Sequence, residues 1–149
     1  MSQTYFGSAL RSGSGSLTDA TDGGFVVLTQ TSTVTTAADG SATSTSVTIP
    51  SGSQILDIFI DQTQNETVGG GTATAINATV GTAAAGTQYV SATDVIGGGR
   101  AALTFTAAQL AAMANVGSNT GVYLTVDPNG TIATTQGIYR LTVVYAQKV

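Results

Sequence analysis

Apolar and polar residues alternate with a period of two along much of this chain. Between residues 55 and 61, Leu56, Ile58 and Ile60 fall on one side of an extended backbone, and Ile55, Asp57, Phe59 and Asp61 on the other. The first set predicts a core face. Val122, Leu124 and Val126 repeat the alternation, and so do Tyr139, Leu141, Val143 and Tyr145. Short runs rich in Val, Ile, Thr and Tyr, separated by Gly, Ser and Asn clusters, predict strands at 25–31, 43–49, 55–61, 72–80, 87–92, 102–105, 122–126 and 138–147. Pro50 stops the second of these. Turns are expected where Gly69, Gly70 and Gly71, and Gly97, Gly98 and Gly99, break the pattern. Another is expected at Asp127-Pro128-Asn129-Gly130, where Pro presets φ and Asn-Gly tolerates positive φ.

One helix is expected among the strands. Thr106 is placed to cap it, Gln109 stands three residues later as in a capping box, and Leu110, Met113 and Ala114 follow at helical spacing. Asn115 and Gly117 end it. A single short helix fits an all-β protein better than a βαβ repeat, which needs several. The expected fold is a β-sandwich, jelly-roll-like or immunoglobulin-like, and the pattern does not choose between them. No internal repeat of the kind that builds solenoids or propellers is visible.

Residues 1–24 read differently. Ser, Gly, Thr and Asp dominate, with Ser-Gly-Ser-Gly-Ser at 12–16, a composition too poor in apolar groups to offset its ordering entropy. The expected organisation is an extended N-terminal arm over 1–24 and a sandwich domain over 25–149. Tyr5, Phe6 and Leu10 are the arm's candidate anchors to a neighbour.

Composition narrows the function. The chain has 149 residues, enough for one core, yet only 8% are charged and the net charge is −4. The four basic residues, Arg11, Arg100, Arg140 and Lys148, are scattered, so nucleic acid is excluded as a main partner, as is polybasic attraction to a membrane. Residues 1–16 lack the basic start and apolar middle of a secretion signal, and no run is long enough to span a bilayer. Synthesis in the cytoplasm is expected, with export only inside a larger particle. The absence of cysteine removes disulfides and thiolate metal sites.

Candidate chemistry is sparse. With no histidine and no cysteine, the commonest general base and the commonest nucleophile arrangements are missing. Asp57 and Asp61, four residues apart on one strand face, stand roughly 13 Å apart at the strand rise, too far to share a proton or a glycosidic bond. They are expected to be solvent-facing charges that keep a strand soluble. Asp61, Asn65 and Glu66 offer oxygen ligands near a loop, but the spacing matches no calcium loop, so solvated acids are expected and no cofactor or metal. Gly97 to Arg100 lacks the ending of a phosphate loop, and the glycan-acceptor patterns at Asn65, Asn77 and Asn129 carry little weight without a secretion signal. No enzyme is expected. Among Tyr5, Tyr89, Tyr123, Tyr139 and Tyr145, Tyr123 is the best interface candidate because it lies opposite Val122 and Leu124.

From residue 75 onward the chain resembles tailed-phage virion proteins. The runs that carry the likeness are Ile76-Asn77-Ala78-Thr79-Val80-Gly81-Thr82, Gly86-Thr87-Gln88-Tyr89-Val90, Val122-Tyr123-Leu124-Thr125-Val126, and the closing 137–145. In these the chain is similar to phage head decoration (cement) proteins. That resemblance implies a small β-rich module, commonly a homotrimer, on the outer capsid surface, bridging subunits of the major capsid protein. It carries over no residue motif. The competing expectation is a phage fibre, spike or adhesin domain that binds host glycans, against which the chain offers no tryptophan.

Overall fold

The computed structural model describes residues 25–132 and 134–148, and the expectation for the arm, including Tyr5, Phe6 and Leu10, falls outside them. The described residues form β1 (Phe25–Thr35), β2 (Thr43–Ile49), β3 (Gln54–Gln64), β4 (Ile76–Gly81), β5 (Val90–Asp94), β6 (Gly99–Arg100), α1 (Ala107–Met113), β7 (Thr120–Pro128) and β8 (Ile138–Lys148). They make a β-sandwich of two four-stranded antiparallel sheets. Sheet A runs β1-β8-β3-β6 and sheet B runs β2-β7-β4-β5.

Alternation places the core. Tyr139, Leu141, Val143 and Tyr145 of β8 point inward beside Ile55, Ile58 and Ile60 of β3. They meet Val122, Leu124 and Val126 of β7 and Ile76, Ala78 and Val80 of β4 from the facing sheet. β-branched side chains dominate both layers, and they pack well on a pleated surface while losing little rotamer freedom there.

The predicted core face of β3 is corrected at two residues, Ile55 and Leu56. Ile55 pairs with Tyr145 and Asp57 with Val144, so Leu56 is an extra residue in a β-bulge. The bulge shifts the alternation by one: Ile55 is buried with Ile58 and Ile60, whereas Leu56 is 44% exposed. Period-two counting from the sequence has no means of seeing the inserted residue.

The segment at 102–105 is not a strand. Ladder pairing covers only Asp61 with Arg100 and Gln62 with Gly99, and the Ala101 amide adds one bond to the Ile60 carbonyl at 2.9 Å. The chain then peels away while Ala101, Leu103 and Phe105 still pack against the core edge. The alternation is real, but it serves side-chain packing without a hydrogen-bond ladder. Gly97, Gly98 and Gly99, with φ of 102°, 91° and 83°, form the expected turn into β6.

β4 starts at Ile76, later than expected, because its approach is held by a loop. The Asn129 side-chain carbonyl accepts from the amides of Thr74 at 2.7 Å and Ala75 at 2.9 Å. The amides of Thr72 and Ala73 bond the Thr131 carbonyl. These groups are therefore spent outside the ladder. The start of β5 moves likewise from 87 to Val90. The expected turn at 127–130 also shifts, since β7 continues to Pro128, paired with Ile76, and neither Asn129 nor Gly130 has positive φ.

The helix forms with its capping box complete: the Gln109 amide donates to Thr106 Oγ1 and the Thr106 amide to Gln109 Oε1. Its buried side is Gln109 and Met113, however, and Leu110 is 52% exposed. Gln109 is drawn inward because its Nε2 donates to Ser91 Oγ at 3.1 Å, a partner only the fold supplies.

Candidate interaction surface

The outward face of sheet A carries the charged cluster. Asp61, on β3, accepts from Arg100 Nε at 2.8 Å and from Arg140 of β8 at 3.1 Å. The hydrogen bond from Arg100 holds the Asp61 carboxyl below its ordinary range, against the opposing effect of burial, and Arg140 adds to it. The Arg100 guanidinium also stacks 4.3 Å above the Phe59 ring. Asp61 is thus not the solvated strand charge that the spacing implied: its side chain is only 13% exposed. Asp57 accepts from the Ile58 amide at 2.8 Å.

The oxygen groups considered for calcium are divided between two faces. Asp61 is occupied by the two arginines on the outside. Glu66 Oε2 accepts from the Tyr139 hydroxyl at 3.0 Å and from Gln62 Nε2, and Gln62 Nε2 also donates to that hydroxyl at 2.9 Å. Burial first, and the Glu66 carboxylate next, push the Tyr139 phenol well above its ordinary range. This cluster clips the loop after β3 to β8. Among the described residues, no three acids stand together in a way that would hold a metal.

Beside the charged cluster, a hollow of about 320 Å³ opens between β3 and the peeled segment, lined by Asp57, Ile58, Phe59, Arg100, Ala101, Leu103 and Phe105. One acid, one cation and otherwise apolar groups line it. Such a lining suits an apolar or aromatic group and lacks a paired nucleophile and base.

Tyr123 lies on the outer face of sheet B, as its position opposite Val122 and Leu124 implied, and it is half-buried. Its register partners are Ser46 and Gly81, and its ring lies over Gly121, where an added Cβ would come within 2.7 Å of it. Gly121 thus accommodates the ring against the sheet. The other expected interface residues, Tyr5, Phe6 and Leu10, lie outside the described residues.

The largest exposed apolar cluster among the described residues falls in a stretch whose sequence reads as an ordinary strand. Phe25, Val26, Val27 and Leu28 of β1 are 62%, 44%, 60% and 39% exposed. A signal for it exists: four consecutive apolar residues at a strand start have no polar face to turn outward. Leu28 pairs with Tyr145 and Val27 with Ala146 across β8, and the exposed Leu56 lies on the far side of β8, in β3.

Comparison with known proteins gives the fold a counterpart. No protein-family model matches the chain, and no curated protein matches it. Among solved structures it is similar to a chain of one described as "Cyanophage Pam1 capsid asymmetric unit", at 21% identity and a TM-score of 0.59, covering 97% of this chain and 96% of that one. At that identity the likeness is one of fold.

Proposed function

We propose that this chain is a non-enzymatic structural protein of a phage virion, which decorates the outside of the capsid and stabilises it by bridging subunits of the major capsid protein. The observation that carries the reading is the end-to-end similarity to a chain of a cyanophage capsid asymmetric unit, which spans nearly the whole of both chains. A domain-sized module matched along its length is what a capsid component of this size requires. The strand order supports it further. We read the sheet orders 1-8-3-6 and 2-7-4-5 as favouring the jelly-roll-like of the two expected sandwich topologies, and jelly rolls recur in viral capsid domains.

The surface is consistent with a lattice role. Few charges, an acid neutralised by two arginines, and apolar residues left exposed at one strand end favour many weak contacts over one chemical site. Repeated on a symmetric shell, modest contacts give strong collective retention. The chain is made in the host cytoplasm, assembles as a homo-oligomer, a trimer by the resemblance, and uses residues 1–24 to reach a neighbour or the shell.

Quantitative mass spectrometry of purified particles tests the reading, with the copy number of this chain set against that of the major shell protein. A near-stoichiometric ratio is expected. A small fraction would favour a fibre or spike, and absence from particles would overturn the virion assignment. Deleting residues 1–24 should lower retention on particles while the purified sandwich stays folded by circular dichroism.

A further inference from the structure

We propose that the open edge of β1 over residues 25–29 is the seat of an extra strand, contributed by residues 3–10 of a neighbouring copy of this chain. The inference deepens the capsid reading and rests on its placing copies side by side.

A strand at the edge of a sheet presents unpaired N–H and C=O groups, and soluble proteins guard such edges with charge, proline, bulges or shortness. Three of the four edges here are guarded or occupied. β6 has two residues and carries Arg100, β5 is short and ends on Asp94, and β2 lies alongside β1. From Gln30 to Thr35, β1 is tied to β2 by side chains. Gln30 Nε2 donates to the Thr48 carbonyl at 2.8 Å, Ser32 Oγ bonds Thr45 Oγ1, and Thr43 Oγ1 donates to the Thr35 carbonyl at 2.8 Å. Before Gln30, no hydrogen bond among the described residues joins β1 to β2, the ladder with β8 is free of bulges, and no charged residue stands in the strand.

The side chains of that free end are apolar on both faces. Val26 and Leu28 lie on the face that continues the core side, with Leu28 opposite Tyr145, while Phe25 and Val27 lie on the outer face, with Val27 opposite Ala146. An added strand must therefore offer apolar groups to both faces at once. Consecutive residues of an extended segment point to opposite faces, so Tyr5 and Phe6 supply one each, and Leu10, four residues after Phe6, falls on the Phe6 side. No charge lies between residues 3 and 10.

Chain length favours exchange between copies. The segment 11–24 between Leu10 and β1 spans at most roughly 50 Å when extended. The stretch that directly precedes Phe25 carries Asp19 and Asp22, so it does not itself match the apolar edge. On a shell, neighbouring copies at fixed spacing supply a local concentration on the order of millimolar for such exchange.

The absence of native cysteine makes the test clean. Full-length Tyr5→Cys, Phe6→Cys and Leu10→Cys are each mixed with Val27→Cys at ~1 mM protein, the concentration a lattice supplies, and oxidised. Disulfide-linked heterodimers are expected for at least one pair, and the double variant Phe6→Cys/Val27→Cys should give dimers and ladders. A fast-migrating, internally linked monomer would put the segment on its own strand and overturn the exchange. Dimers from Val27→Cys alone would assign the edge to the β1 of a second copy, and no link from any pair would reject the seat. Phe25→Lys placed in the Val27→Cys chain, checked for folding by circular dichroism, should abolish the expected link by placing a charge at the edge. The assay needs no particle, so its failure leaves the copy-number test of the capsid reading intact.

Discussion

Single side chains set how this sandwich responds to pH. Asp61 has its carboxyl held below the ordinary value by Arg100, so the stability it contributes is present above the unfolded value, about pH 3.9, and is lost as pH falls through the lower folded value. Asp61→Asn should cost about 0.5–1 kcal/mol at neutral pH and flatten the fall in stability below about pH 4, measured by urea unfolding across pH. Tyr89 and Tyr139 work in the opposite direction. Burial raises both phenols, with Glu66 adding to the effect at Tyr139, so the folded chain keeps protons that the unfolded chain releases. Their contribution is complete below about pH 10 and declines above it. In an alkaline titration, the phenolate absorbance of these two should appear together with loss of the β-sheet signal. Complete ionisation near pH 10 with an unchanged dichroism spectrum would contradict their burial. Neither effect was legible in the sequence, since Asp61 finds Arg100 and Arg140, and Tyr139 finds Glu66, only across strands.

At the scale of the element, β2 appears with the bounds its pattern predicted, and α1 with the cap that Thr106 and Gln109 announced. Both rest on local information: a proline stop in one case, a reciprocal hydrogen bond over three residues in the other. β3 departs from its pattern because Leu56 is inserted in a bulge, and this gives a direct test. Leu56→Ser should change stability by less than about 0.5 kcal/mol, as exposed positions do. Ile55→Ala should cost about 2–5 kcal/mol through the cavity it leaves. Thermal unfolding of the two variants decides, and the reverse order would restore the unbulged alternation. Tyr123 stands on the outer face of sheet B as its alternation implied, whereas the pattern did not single out the exposed end of β1, because four consecutive apolar residues carry no alternation that separates an inner from an outer face.

For the whole molecule, the first described strand pairs with the last, β1 with β8, and β8 is central to sheet A between β1 and β3. Sheet A is thus closed only after nearly the entire chain has been placed. Loops that large must be closed before their contacts contribute, so refolding should take milliseconds to seconds, slower than helical bundles of this length. Stopped-flow circular dichroism, suited to a chain with no tryptophan, measures it. Microsecond refolding would mean that local hairpins carry the fold instead.

Sequence alone determined the all-β class, most strand positions, the helix cap, and the poverty of chemical groups that excludes histidine and cysteine catalysis. Those properties follow from side-chain type and short-range periodicity, which any window of a few residues carries. Tertiary structure decided the strand order, the bulge at Leu56, the peeling away of 102–105, the pairing of Asp61 with two arginines, and the exposure of Phe25, Val26, Val27 and Leu28. Each of these depends on which residue distant in the chain comes to lie across a sheet, and a period-two pattern holds no record of its partner.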